Sequence, residues 1–277
     1  HFVTLDNLRW ICRRLILDHD AATLRLFWNT FRYWSKMKSI SLQSAKKRDD
    51  ITYIVGRDEI WNVARVDCNL PIFRAEPVNG RIISYAPSIN SATEEQLRKK
   101  NFEQVLERFS AISVRDTRSQ EVLGRITGRD IPVVLDPTLL FDMDFYTPAG
   151  MRLKTFCKKY IALYLFGNAL SSEQILIIRE FAKEEDLLLV SIGLYMNWCD
   201  EVVPVPNFCP FLYYKDAKYV ITNTFHGTAF AINFETQFVS FPNGNPKTSD
   251  LLNRFELSNR DISKANSYVD FSESIKS

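Results

Sequence analysis

The sequence predicts an α/β protein of two Rossmann-like halves around a cleft, and three observations predict it. From Ile51 onward, short apolar runs alternate with amphipathic helical stretches, the pattern of parallel strands joined by helices. The segment Asp142–Lys159, with Pro148 and Gly150, carries no strong period and separates two such series. Near the C-terminus the β-rich run Tyr219–Thr222 breaks at a polar corner, Asn223 to Gly227. Apolar residues then return at helical spacing in Phe230 and Phe234. A length of 277 residues, 46% hydrophobic and 25% charged, suits two moderate domains of an ordinary globular protein.

The halves are expected over 1–147 and 148–277. In the first, Ile51–Val55, Arg81–Tyr85, Ala111–Val114 and Val133–Leu135 are expected strands, each a short run of the kind that suits a pleated, half-buried surface. Glu94–Phe109 is an expected helix with Thr93 placed to cap it, and Ser119–Arg125 is another. In the second half Ile161–Tyr164, Leu187–Ile192 and Tyr219–Thr222 are strands. Ser172–Glu184 is a helix: Ser171 or Ser172 precedes Glu173 as a cap, and Ile175, Ile178 and Phe181 form the buried stripe. Open sheets of this type bind ligands beyond the carboxyl ends of their strands. The polar residues just after strands are therefore the site candidates: Gly56 to Glu59, Ser84 to Ser88, Arg115 and Asp116, Asp136 to Thr138, and Asn223 to Gly227.

The net charge of +2 conceals an asymmetry, because residues 1–48 hold ten Lys or Arg against three Asp. Leu8, Cys12 and Leu15 share one helical face there, as do Leu24, Phe27, Trp28 and Phe31, so amphipathic packing on a sheet is the favoured reading. The sharper one is peripheral contact with anionic lipid or a polyanionic substrate. No nucleic-acid module accompanies the charge, and nucleic acid is not an expected partner. The five cysteines are scattered with no Cys-x-x-Cys pair, which fits a reduced cytoplasm and argues against a zinc site. No apolar run is long enough to span a bilayer, no secretory signal opens the chain, and no carboxylate or His/Cys cluster has metal-ligand spacing, so no metal is expected.

His226 is the only histidine beyond the first twenty residues. Between a strand end and a helix start, an imidazole can hold an anion beside the helix dipole and move a proton at neutral pH. The competing reading is a histidine that caps or packs. Gly227 is expected to permit a tight turn at this corner.

Five ordered segments carry a family resemblance. They are Ile54-Val55-Gly56-Arg57-Asp58-Glu59-Ile60-Trp61-Asn62, Ile83-Ser84-Tyr85-Ala86-Pro87-Ser88, Ile112-Ser113-Val114-Arg115-Asp116, Leu135-Asp136-Pro137-Thr138-Leu139-Leu140 and Val220-Ile221-Thr222-Asn223-Thr224-Phe225-His226-Gly227-Thr228. Together, over roughly residues 51 to 260, the chain resembles the polysaccharide pyruvyl transferase family. The resemblance implies a two-domain GT-B-like fold. It also implies transfer of the enolpyruvyl unit of phosphoenolpyruvate to sugar hydroxyls of a cell-surface polysaccharide or its precursor, an exopolysaccharide activity of the cytoplasm or inner membrane face. The family opens with a strand and an Asn-Tyr-Gly type loop, and no such segment precedes His1, so the first strand–loop unit is expected to be missing. Gly56-Arg57-Asp58-Glu59 stands where the family generally has Gly-Ser-Asp-Gln, and Thr224 where some members have arginine.

The chemistry of that donor, a carboxylate and a phosphate on one small molecule, asks for arginines and a proton carrier. His226, Arg115 and Asp58 are the catalytic candidates: His226 to move protons, Arg115 to hold an anion, and Asp58 to orient or deprotonate the acceptor hydroxyl. The competing reading of Arg115 is a salt bridge to Asp116 or Asp136. Arg57, Asn62, Ser84, Asn223, Thr224, Gly227 and Thr228 make the substrate-binding set, with Arg57 compensating for the arginine that Thr224 replaces. Trp61 is expected to pack rather than to stack on a sugar. Asp136 is expected to tie its turn through side-chain-to-backbone hydrogen bonds. Lys247 and Arg260 are expected to be solvated. Two other functions stay open: a GT-B-like nucleotide-sugar glycosyltransferase, for which Gly167 and Asn168 are a thin phosphate-loop candidate, and a degenerate homologue that binds without catalysis.

Overall fold

The computed structural model describes residues 50–56, 58–65, 74, 78–140, 154–167, 170–203, 211–263 and 267–277. The basic N-terminal segment, Arg57, Asn168 and the expected boundary at 147/148 lie outside the described residues. Two compact units emerge, one within Lys38–Phe141 and one within Asp142–Ser277. Among the described residues no helix is long and apolar enough to cross a membrane.

In the first unit β1 (Thr52–Val55) and β2 (Arg81–Ser84) pair in parallel, Thr52 opposite Arg81 and Val55 opposite Ser84. The expected helix over Glu94–Phe109 is two helices, α1 (Glu94–Lys99) and α2 (Phe102–Glu107), because Asn101 takes a left-handed φ of 52°. Asparagine tolerates that region well, and the break turns Phe102, Val105 and Leu106 into the core. Thr93 caps α1 as expected, in a capping box closed by Gln96. The next helix, α3 (Thr117–Thr127), starts earlier than expected, because the Asp116 carboxylate accepts from the Ser119 N–H at 2.8 Å.

Ala111–Val114 and Val133–Leu135 are not strands but single parallel bridges, Ile83 to Ala111 and Val114 to Val133. Serine side chains add to the few backbone bonds of these bridges. Ser84 Oγ accepts from the Ser113 N–H and donates to the Ser113 carbonyl, while Ser113 Oγ donates to the Ser84 carbonyl. Trp61 is fully buried, with the rings of Phe102 and Phe109 edge-on at 5.6 and 5.5 Å, and it packs as expected.

The second unit is a five-stranded, wholly parallel sheet. Its strands are β3 (Tyr160–Tyr164), β4 (Leu188–Ile192), β5 (Glu201–Val203), β6 (Tyr219–Thr222) and β7 (Phe238–Ser240), in the order β5-β4-β3-β6-β7. The strands β5 and β7 are not among the expected ones, since runs of three residues carry no period to read. Side chains of alternate residues leave opposite faces, and both faces are covered. On one, Ala162, Val190, Ile192 and Val220 meet α5 (Leu212–Lys215), α6 (Phe225–Asn233) and α7 (Pro246–Arg254). On the other, Ile161, Leu163, Leu189 and Ile221 meet α4 (Ser172–Glu184) and α8 (Tyr268–Lys276). α4 has the expected span, with Ser171 as its cap and Gln174 closing the box.

The strand order locates the ligand edge of this unit. The chain runs outward from β3 through β4 to β5, then returns to the other side of β3 for β6 and β7. The order therefore reverses between β3 and β6. At such a switch point the connections leave in opposite directions and open a crevice at the carboxyl ends of the strands.

Candidate active site

The corner after β6 stands at that switch point. Thr224 is the N-cap of α6: its hydroxyl accepts from the Gly227 N–H at 2.8 Å, and its own N–H donates to Thr222 Oγ1 at 3.2 Å. Thr222 Oγ1 donates across to the Tyr164 carbonyl at 2.9 Å, fastening the end of β6 to the end of β3. Asn223 repeats that fastening with its amide, which accepts from the Phe166 N–H and donates to the Phe166 carbonyl, both at 2.9 Å. Thr228 is fully buried, its hydroxyl bonded to the Thr224 carbonyl and to Ser240 Oγ, each at 3.0 Å. Asn223, Thr224 and Thr228 thus hold three strands and a helix together, and His226 is set on this frame as the second residue of α6. The imidazole is half-buried and lies edge-on to the Phe225 ring, 5.4 Å between centroids.

Gly227 serves a different purpose from the expected tight turn. Its φ is not left-handed. It lies inside the helix, where a Cβ would overlap the Thr222 hydroxyl and come within 2.7 Å of Thr224 Oγ1. Close approach of the helix to the hydroxyl frame is what requires glycine.

In the first unit Arg115 is buried with its guanidinium shared between two carboxylates. Nη1 donates to Asp136 Oδ2 at 2.8 Å, and Nη2 pairs with Asp58. The ion-pair reading of Arg115 is therefore the observed one, with Asp58 rather than Asp116 as the second partner. Burial alone would raise the Asp136 carboxyl. Arg115, with the N–H and hydroxyl of Thr138, outweighs it and holds the group below the ordinary carboxylate range. Asp58 keeps 35% of its side chain exposed. Its carbonyl accepts from the Ser88 N–H at 2.9 Å. Asn62 is buried, donating to Glu59 and Ser91, while its Oδ1 has no hydrogen-bond partner among the described residues. Ser84 belongs to the crossed pair with Ser113.

Two expectations fail on burial. Lys247 is only 4% exposed and Arg260 only 8%, where solvated charge was expected. Arg260 donates to the Phe238 and Ser274 carbonyls and lies over the Phe238 ring, a structural anchor. Lys247 is in the first turn of α7, with its ammonium 6.0 Å from the centre of the Phe225 ring, the neighbour of His226. A signal for it does exist in the sequence. Asn245-Pro246 reads as a helix start, and a cation in the first helical turn opposes the helix dipole.

A cavity of about 390 Å³ is lined by Lys154, Phe156, Lys158, Tyr160, Tyr213 and Asp216, at the amino end of β3. That is the edge away from the switch point, and its Lys154 and Lys158 are half exposed and paired with Glu201 and Asp186. Strand order outweighs cavity size here, and the His226 corner is the better site.

Solved structures resemble this chain in fold, and a family profile matches its sequence. The structure of UDP-GlcNAc 2-epimerase from Methanocaldococcus jannaschii is similar with a TM-score of 0.53 at 10% identity, over 92% of this chain and 74% of that one. It shows the α/β, GT-B-like fold expected from sequence. An α,α-trehalose 6-phosphate synthase from Burkholderia multivorans aligns over 92% of this chain and 83% of its own, with 10% identity and a TM-score of 0.40. No curated protein matches the sequence. The family profile described as polysaccharide pyruvyl transferase matches residues 8–245, most of the chain and all five motif segments. The chain therefore belongs to the polysaccharide pyruvyl transferase family, a family of transferases.

Proposed function

We propose that the protein transfers the enolpyruvyl unit of phosphoenolpyruvate to two hydroxyls of one sugar in a cell-surface polysaccharide or its precursor, with His226 as the proton carrier. The observation that carries this reading is the place of His226: half-buried, in the first turn of a helix, at the carboxyl edge where the strand order reverses. The reaction needs a proton delivered to the methylene carbon of the donor, which becomes a methyl group. It also needs two new C–O bonds to the central carbon and departure of the phosphate. Two hydroxyl protons are released, one ending on carbon and one on phosphate. An imidazole is matched to that traffic near neutral pH.

In this reading Arg115 acts through Asp58. The guanidinium holds the Asp58 carboxylate in place, and the exposed part of that carboxylate accepts a hydrogen bond from an acceptor hydroxyl. Arg115 is thus a positioning residue rather than the holder of the donor. We place the reaction in the cytoplasm, with the basic residues 1–48 as the segment that would meet anionic lipid.

A thermal-shift screen tests the donor. A ligand at about 100 times its Kd stabilises the native state by about 2.7 kcal/mol. Phosphoenolpyruvate should raise the midpoint, while UDP, GDP and CMP should not. A shift with UDP and none with phosphoenolpyruvate would move the reading to a nucleotide-sugar transferase, acting on the class of compound for which the M. jannaschii epimerase is named. Silence from all four would favour a homologue that has lost catalysis.

A further inference from the structure

We propose that Phe166 is the sugar platform of this site, its exposed ring stacking on the C–H face of an acceptor pyranose. The inference rests on the reading of the His226 corner as the active site and adds what holds the acceptor there.

A single exposed apolar ring is ordinary on a protein surface, so place and support must carry the case. Trp61, the ring that the sequence offers for a sugar, is fully buried. Among the described residues the aromatic rings that stand exposed are Phe166, at 44%, and Tyr195, at 43%. Phe166 lies two residues past the end of β3, at the carboxyl edge where the strand order reverses. Tyr195 follows β4, one strand farther from β6.

Two chains of contact tie Phe166 to the His226 corner. Along the backbone, the Asn223 amide bonds both the N–H and the carbonyl of Phe166, and Asn223 lies three residues before His226. Along the rings, Phe166 meets Tyr164 edge-on at 5.0 Å between centroids, and Tyr164 meets Phe211 in the same way at 5.0 Å. Phe211 stacks on Phe230 at 3.8 Å, and Phe230 is one turn after His226 on α6, where residues four apart are neighbours. Gly167, at a left-handed φ of 68°, turns the chain away directly after Phe166. The ring is thus held before any ligand arrives, which lowers the ordering cost of binding. One edge-on contact covers at most one face of it. A pyranose presents a face of weakly positive C–H groups, which the negative face of an aromatic ring attracts. Its rim of hydroxyls needs polar neighbours, and Asn223, Thr224 and His226 all remain partly exposed around the corner.

Ring substitutions and simple glycosides decide it without the natural acceptor. The probes are the methyl glycosides of glucose, galactose and mannose, with binding read by saturation-transfer NMR. At least one should bind the wild-type protein, with saturation concentrated on ring protons of one face. Phe166→Tyr and Phe166→Trp keep a flat ring and should keep that binding. Phe166→Leu stays apolar without being flat and should weaken it about tenfold, as should Phe166→Ala. Affinity for phosphoenolpyruvate, read by calorimetry, should be the same in all forms, and so should the urea midpoint, because the ring is exposed. Tyr195→Leu is the control for any exposed ring and should bind as wild type does. Glycoside binding as tight in Phe166→Leu as in the wild type overturns the proposal, and so does a wild-type protein that binds none of the three. An equal loss in Tyr195→Leu overturns it as non-specific adsorption. Variants that lose phosphoenolpyruvate to the same extent place the ring with the donor or the fold and overturn it. Saturation of uridine protons in UDP through Phe166, with none on the glycosides, makes the ring a base platform and overturns it. Glycoside binding that depends on Phe166, with no turnover of phosphoenolpyruvate, supports the platform while rejecting the proposed reaction.

Discussion

The two strand-end corners are built from opposite materials. In the first unit the frame is ionic: Arg115, fully buried, is clamped by Asp58 and Asp136, and the carboxylates are what fix the loops after β1 and after the Val114–Val133 bridge. In the second unit the frame is neutral. Thr222, Thr224, Thr228, Ser240 and the Asn223 amide satisfy one another and the backbone, and the titratable group, His226, stands half-buried upon them. The contrast separates two meanings of a charged residue at a strand end. Arg115 is charged because it holds other charges. His226 stands on a frame whose own hydrogen bonds close among hydroxyls, an amide and the backbone.

The sharpest break between the corners should come from His226→Asn. The asparagine keeps a polar side chain of moderate size at the second position of α6 and cannot carry a proton at neutral pH. Removal of a general acid or base typically lowers turnover about 10²–10⁴-fold. We expect that loss with a urea midpoint close to wild type. Turnover within a few-fold of wild type would reject the assignment.

Arg115→Met should do the reverse, harming the fold first. Removing one partner of a buried pair leaves an uncompensated carboxylate and costs about 3–5 kcal/mol. The pH dependence identifies the cause. In the wild type Asp136 is held below its ordinary value of 3.8, so its contribution is fully present above that value and is lost as pH falls through the lower folded value. In the variant the Thr138 hydrogen bonds remain but the guanidinium that opposed burial is gone, so the group lies higher than in the wild type. The penalty is then present at neutral pH and relieved by protonation on acidification. The stability gap between the two proteins, measured by urea denaturation, should therefore narrow from pH 7 to pH 4. A gap independent of pH would mean that lost packing, not charge, is responsible.

Much of the second unit is legible in sequence, and for identifiable reasons. Tyr219–Thr222 and Ser172–Glu184 have the observed bounds because a four-residue apolar strand and a capped amphipathic helix carry their own signals. The break at Asn101 is not legible, since the apolar spacing of Leu97, Phe102, Val105 and Leu106 continues through it. The partners of Arg115 are legible only in part. Asp136 is a natural candidate because both follow strands, whereas Asp58 is 57 residues away and is brought in by the turn after β1. Lys247 is misread as solvated, because without the fold nothing shows that Phe225 lies across from it. Long-range proximity is what sequence pattern leaves out.

Gly227→Ala tests whether the neutral frame is as tightly fitted as the ionic one. The new methyl would meet the Thr222 hydroxyl, and the hydroxyl cannot move without releasing the Tyr164 carbonyl. Overpacking of this kind costs about 1–3 kcal/mol. A loss in that range is expected in urea denaturation, with a parallel loss of turnover as α6 shifts. Full stability would show that the frame has slack and that glycine is there for another reason.

The smallest effect should separate holding from binding at Thr224. Its hydroxyl is the helix cap, and loss of a threonine cap costs about 0.5–2 kcal/mol. Thr224→Ser keeps the oxygen and should be nearly as stable as wild type, whereas Thr224→Ala should fall by about 1 kcal/mol. If the hydroxyl serves only the frame, turnover will follow stability across the two variants, and the KM for phosphoenolpyruvate will stay near wild type in both. If it also touches the donor, the alanine variant will show a raised KM beyond what its stability explains, with serine restoring it. The first outcome would make Thr224 a structural cap and leave its hydroxyl out of the donor's contacts.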